Sequence, residues 1–243
     1  SSDLYDTLLN VCRGESCQSI SACWQAVDDI RAHMLNFLEN HDERRLASDF
    51  LLGDARKALP ALFVSCLMPG PFMLYFGQEL GERGMDAEGF SGRDGRTTIF
   101  DYWTVPAIRR WRDKGRFDGR LLTDDERFLR GAYQRLLNLR EQAKWAGGGF
   151  FDLMYCNQHL HRQYAFVLGC RGHFALVACN FSEREETVCL NLPEHLFSHT
   201  GIAQKSRLTL TDAMTGNRVR VPLNSSEPLV ITIPANFGVV LEG

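Results

Sequence analysis

The residues that could do chemistry lie close together, in Phe37-Leu38-Glu39-Asn40-His41-Asp42. An apolar run ends there in side chains that can bind and orient hydroxyl groups. Asp42 and His41 can each accept hydrogen bonds from a polyol, and the charge of an aspartate can stabilise a developing cation. A structural reading competes with this on equal terms: Asn40 and Asp42 could cap the next helix or close an Asx turn. The remaining candidates are plainer. Glu82, Asp86, Glu88 and Asp94 are acidic loop residues without the EF-hand order of oxygens, so no metal is expected and a solvated loop is favoured. His159 and His161 alternate along one segment and read as surface polar residues. Tyr102, Trp103, Trp111 and Trp145 could stack on sugars, although packing roles suit the last two better.

The elements that must position Asn40–Asp42 alternate in type. Helical spacing marks Asp3–Val11 and Ser19–Ile30, and an apolar strand covers 34–39. A helix is expected from about Asp54 to Leu67, delayed or kinked by Pro60. After Pro69-Gly70-Pro71 comes a second apolar strand, 72–76. Strand, helix and strand make a βαβ unit with parallel strands buried on both faces, and ligands gather at the C-terminal ends of such strands. Residues 77–102 form a long Gly-rich loop. Asp124–Lys144 is an amphipathic helix opened by a Thr123/Glu126 capping box, with Phe128, Leu129, Ala132, Leu136, Leu139 and Ala143 in its apolar stripe. Beyond Gly147-Gly148-Gly149 the period changes to two. Eight strands are expected, from Phe150–Tyr155 to Phe237–Leu241 with no helix between them, as in an antiparallel sandwich or barrel. Residues 1–146 and 147–243 are therefore expected to be separate units.

These residues resemble a known family. The string Phe37–Asp42 is similar to the F-x-x-N-H-D signature of the seventh barrel strand in the alpha-amylase superfamily of glycoside hydrolases. Gly70–Glu79 resembles that family's eighth strand, with a looser spacing around Phe76, and 93–103 resembles the loop that follows it. The resemblance implies an α/β plus all-β fold: the C-terminal part of a TIM-type β/α barrel, followed by an antiparallel β-sandwich domain. It implies a retaining mechanism with a carboxylate nucleophile and a carboxylic acid/base, acting on alpha-glucans such as starch and maltooligosaccharides. In it Asp42 is the transition-state stabiliser and His41 binds the same sugar. Asn40 adjoins that substrate-binding pair and is expected to hold the turn. No R-x-D follows an apolar strand and no D-x-x-x-N-H string occurs, so the nucleophile and general acid are expected upstream of residue 1. The chain by itself is then expected to be inactive. The resemblance adds no cofactor here, and calcium would belong to the rest of such an enzyme. A non-catalytic carbohydrate-binding or scaffold module is the alternative.

Composition bounds the partners. The 243 residues carry 27 basic and 30 acidic side chains, a net charge of −3, without the basic surplus of a nucleic-acid binder. No apolar run approaches a membrane span, so no membrane partner is expected, and the first residues lack the form of a signal peptide. Eight cysteines without C-x-x-C give no zinc pattern. Cys156, Cys170, Cys179 and Cys189 are expected as buried free thiols, which favours a cytoplasmic over an oxidising setting. Two barrel strands cannot close a barrel. Their open faces are expected to pack on the β part or on a second copy, with self-association through the strands.

Overall fold

The computed structural model describes residues 4–27, 30, 33–86, 93–100 and 104–243. The readings placed on Glu88, Tyr102 and Trp103 lie outside them. α1 (Leu4–Cys12) and α2 (Gln18–Ala26) bury Leu8, Val11, Ile20 and Trp24. β1 (Asn36–Phe37) and β2 (Phe72–Met73) pair in parallel, Asn36 opposite Phe72 and Phe37 opposite Met73. The βαβ order is as expected, but each strand is only two residues long. Nor are they buried on both faces, since Phe37, Phe72 and Met73 are half-buried. The apolar pattern overstates these strands: the ladder holds two residues on each side, and the chain turns away after Phe37 and after Met73.

Between them, a 3-10 turn at Ala55–Ala58 leads into α3 (Leu59–Leu67). Asp54 Oδ1 caps the turn, accepting from Arg56 N at 2.8 Å. Pro60 falls in the first turn of α3, where a missing N–H costs nothing, so it delays the helix without kinking it. All nine residues of α3 are buried. The helix lies among α1, β1 and the elements that follow.

α4 (Pro106–Arg112) precedes α5 (Asp124–Gln142), whose capping box forms as expected. Leu129, Ala132, Tyr133 and Leu136 are buried in α5, whereas Phe128 is 45% exposed. Its ring lies beneath the Arg56 guanidinium, 4.7 Å away.

The rest is antiparallel: β3 (Gly149–Asp152), β4 (Gln163–Cys170), β5 (His173–Asn180), β6 (Glu186–Leu190), β7 (Lys205–Asp212), β8 (Arg218–Leu223), β9 (Leu229–Ile233) and β10 (Phe237–Glu242). A six-stranded sheet runs β3-β4-β5-β10-β7-β8, and β6 pairs with β9. Two expectations need correcting. A helix, α6 (Glu194–Thr200), interrupts the strands, burying Leu196 and Phe197. β3 stops at Asp152 because Asp152 Oδ1 accepts from Met154 N at 2.6 Å and turns the chain out of the ladder.

One apolar cluster runs from α1 and α3 through β4, β5 and β10. Phe63 of α3 packs edge-on against Phe237, centroids 5.2 Å apart. A Cβ at Gly238 would lie 2.8 Å from the Phe63 ring, so only glycine permits this approach. Arg162 fastens the helices to the sheet, donating to the carbonyls of Val11, Glu15 and Phe181 at 2.6–2.7 Å.

All eight cysteines are free. Cys179 is buried, but Cys156 and Cys170 are half-buried and Cys189 is exposed, because alternate residues of β6 face outward. Burial pushes the Cys66 thiol up to about 12. Asn180, in the acceptor pattern Asn180-Phe181-Ser182, is fully buried and its amide donates to three carbonyls. It is closed to glycosylation in the folded chain. Among the described residues no helix is long and apolar enough to cross a membrane.

Candidate active site

The chain leaves β1 at Phe37, buries Leu38 and Glu39, and then turns outward. The turn is made by Asn40, whose Oδ1 accepts from the backbone N–H groups of Asp42 and Glu43, both at 2.8 Å. The Asx-turn reading therefore holds at Asn40, whose carbonyl oxygen is committed to backbone. The turn presents its next two residues to solvent. The His41 and Asp42 side chains are 50% and 77% exposed, with Nε2 and Oδ2 3.4 Å apart. The turn stands at the C-terminal end of a parallel strand, where the sequence placed it.

Beneath it lies a buried ion pair. Arg45 Nη1 donates to Glu39 Oε2 at 2.6 Å, with side-chain exposures of 0% and 2%. Arg45 Nη2 donates to the Phe76 carbonyl and Nε to Thr97 Oγ1, each at 2.8 Å. The guanidinium also lies 4.3 Å from the centroid of Tyr75. Glu39 Oε1 accepts from Leu46 N at 2.7 Å. Burial pushes the Glu39 carboxyl up, against the pull of Arg45 and the Leu46 N–H. One cation thus joins the root of the turn, the end of the β2 segment and the loop beyond it.

That loop is seated on the turn. Arg45 N donates to Gly95 O at 2.7 Å, and Arg96 Nε donates to Asp42 O at 2.7 Å. Gly95 has φ +85°, and a Cβ there would fall 2.4 Å from Ser48 Oγ. Its glycine is required twice, by conformation and by space.

Sequence reasoning missed Glu39, Arg45 and Arg96. A glutamate inside an apolar run was the available signal, because a charge buried there must find a partner. Nearby, Glu82 Oε1 accepts from Gly84 N and Asp94 Oδ1 from Arg96 N, so both carboxylates serve their own loops. Among the described residues no three His, Cys, Asp or Glu side chains gather as metal ligands. His159 Nε2 donates to the Cys189 carbonyl at 3.0 Å. Trp145 is buried, with Nε1 donating to Glu242, and Trp111 packs against Phe117.

A parallel βα piece joined to an antiparallel sheet makes an α/β plus all-β fold. The particular fold is that of alpha-amylase-family enzymes. CldA, a three-domain cyclomaltodextrin glucanotransferase, superposes with a TM-score of 0.66 at 16% identity, over 99% of this chain and 43% of its own. The maltogenic alpha-amylase AmyB of Thermotoga neapolitana gives 0.62 at 17%, over 99% and 49%. The alpha-amylase of H. orenii gives 0.61 at 20%, over 98% and 47%. At these identities the likeness is one of fold, and the chain spans less than half the length of each structure. No family model matches the sequence, and no curated protein matches it.

Proposed function

We propose that this chain contributes the ends of the seventh and eighth barrel strands and the C-terminal β unit to a retaining glycoside hydrolase acting on alpha-glucans. Residues 1–146 belong to the barrel and 147–243 to the β unit. Asp42 is the transition-state stabiliser, His41 binds the same sugar, and Asn40 holds both through the turn. The observation that carries this reading is the Asn40-His41-Asp42 turn, at the C-terminal end of a parallel strand in an amylase-type fold.

The charge on Asp42 does most for an oxocarbenium-like transition state when water is excluded. Here its side chain is 77% exposed, so the turn offers an acceptor without enclosing walls. The nucleophile and the general acid lie outside these 243 residues, and the chain alone binds sugar without cleaving it. Two measurements test this. Maltoheptaose incubated with the purified chain is expected to stay intact by chromatography, and shortening above a protein-free control would overturn the assignment of the acids. Maltotriose is expected to shift the ring resonances of His41, and less so in Asp42→Asn. An unmoved His41 spectrum at saturating maltotriose would remove the turn as a sugar site.

A further inference from the structure

The segment joining α4 to α5 takes no part in the site above. Residues 109–120 hold six basic and two acidic side chains, in a chain of net charge −3. Arg110 is held by Glu126, and Arg120 Nε donates to the buried Asp113 Oδ2 at 2.6 Å. Arg109, Arg112 and Lys114 are exposed and form no ion pair among the described residues. Arg116 approaches Asp113 only to 3.9 Å.

The backbone there is strained. Asp113, Lys114 and Phe117 have φ of +37°, +56° and +54°, a region that non-glycine residues seldom enter and bulky ones least of all. The strain holds an apolar tip in water: Phe117 is 51% exposed and the neighbouring Leu121 48%. A Cβ built on Gly115 meets nothing within 4 Å, so the tip projects. Part of this arrangement serves the fold, since Asp113 is the left-handed C-cap of α4 and one edge of Phe117 packs against Trp111 at 5.0 Å. The water-facing sides of Phe117 and Leu121 bury nothing within the chain. Strained residues persist where the surrounding structure fixes them, and they cluster at functional sites.

We propose that this loop docks on the surface of an anionic bilayer. Phe117 and Leu121 enter the boundary between headgroups and acyl chains, while Arg109, Arg112, Lys114 and Arg116 meet the lipid phosphates and carboxylates. A projecting apolar pair among cations fits a deformable apolar layer with an anionic face. A peptide ligand would call for a groove instead. The absence of a membrane partner expected from the sequence rested on apolar span length, a criterion blind to a surface contact of this size.

The test is co-sedimentation of the intact chain with vesicles of phosphatidylcholine, pure or with one third phosphatidylserine. Binding to the anionic vesicles is expected to be about tenfold or more the stronger, and to fall in high salt. Arg112→Gln/Arg116→Gln is expected to weaken it about tenfold. Phe117→Gly separates docking from folding. Glycine relieves the left-handed φ but gives up the edge contact with Trp111, so the thermal midpoint is expected to change little while vesicle binding drops about tenfold. Equal binding to neutral vesicles, no binding, or full binding by Phe117→Gly would each overturn the proposal. So would tighter association with polyglutamate than with anionic vesicles, which would assign the loop to an acidic polypeptide.

Discussion

Arg45 is fully buried, and its guanidinium donates to three different segments. Removing one partner of such a pair leaves the other charged and desolvated, which costs about 3–5 kcal/mol. Arg45→Met is therefore expected to lower the stability of the chain by about that amount in urea unfolding. Glu39→Leu/Arg45→Met should recover only part of the loss, because the Leu46 N–H and the Phe76 carbonyl still lack partners. Asp42→Asn, on an exposed side chain, should change stability by less than about 0.5 kcal/mol. Equal effects from Arg45→Met and Asp42→Asn would contradict this division between support and display. The displayed residues are legible in sequence because they sit side by side in one string. The support is not, since Thr97 lies 52 positions from Arg45 and only the tertiary fold brings them together.

Elements with a local chemical signal were legible, and the start of α5 is the clearest. Thr123 Oγ1 accepts from Glu126 N at 3.2 Å, and Glu126 Oε2 accepts from Thr123 N at 2.8 Å. Burial raises the Glu126 carboxyl, but the bonds from Arg110 and Thr123 outweigh it and hold the group below its ordinary value. The folded chain then binds fewer protons than the unfolded one across that interval. Stability from this group is complete above the ordinary carboxylate range, and it is lost as pH falls through the folded value. Glu126→Gln is expected to cost about 0.5–1 kcal/mol near neutral pH and to flatten the acid limb of a stability–pH curve from urea titrations. An unchanged acid limb would show that other carboxylates set it. Elements without such a signal were misread. The apolar doublet Leu196-Phe197 is too short to show helical periodicity, so α6 was hidden. β3 reads past its end because the alternating pattern does not reveal that Asp152 bonds to the chain two residues on.

At the scale of the whole molecule, the two halves differ in how completely they are built. The six-stranded sheet is backed by α3, with Phe63 set against Phe237 and Gly238. The face of α3 that a barrel piece would leave open is thus used within the chain, as expected of packing on the β part. The β1/β2 pair is different. It is a two-stranded sheet with one hydrogen-bonded side per strand, flanked by Leu35 and Phe76 at 47% and 37% exposure. Unpaired strand edges beside exposed apolar side chains are templates for another strand. In the structures of similar fold, more than half of the chain lies outside the matched region. For the purified chain we expect concentration-dependent self-association through β1 and β2 in sedimentation equilibrium. Leu35→Lys should weaken it without lowering the thermal midpoint, since the side chain is already half in water. A monomer over the whole accessible concentration range would show that these short edges are too small to recruit a second copy.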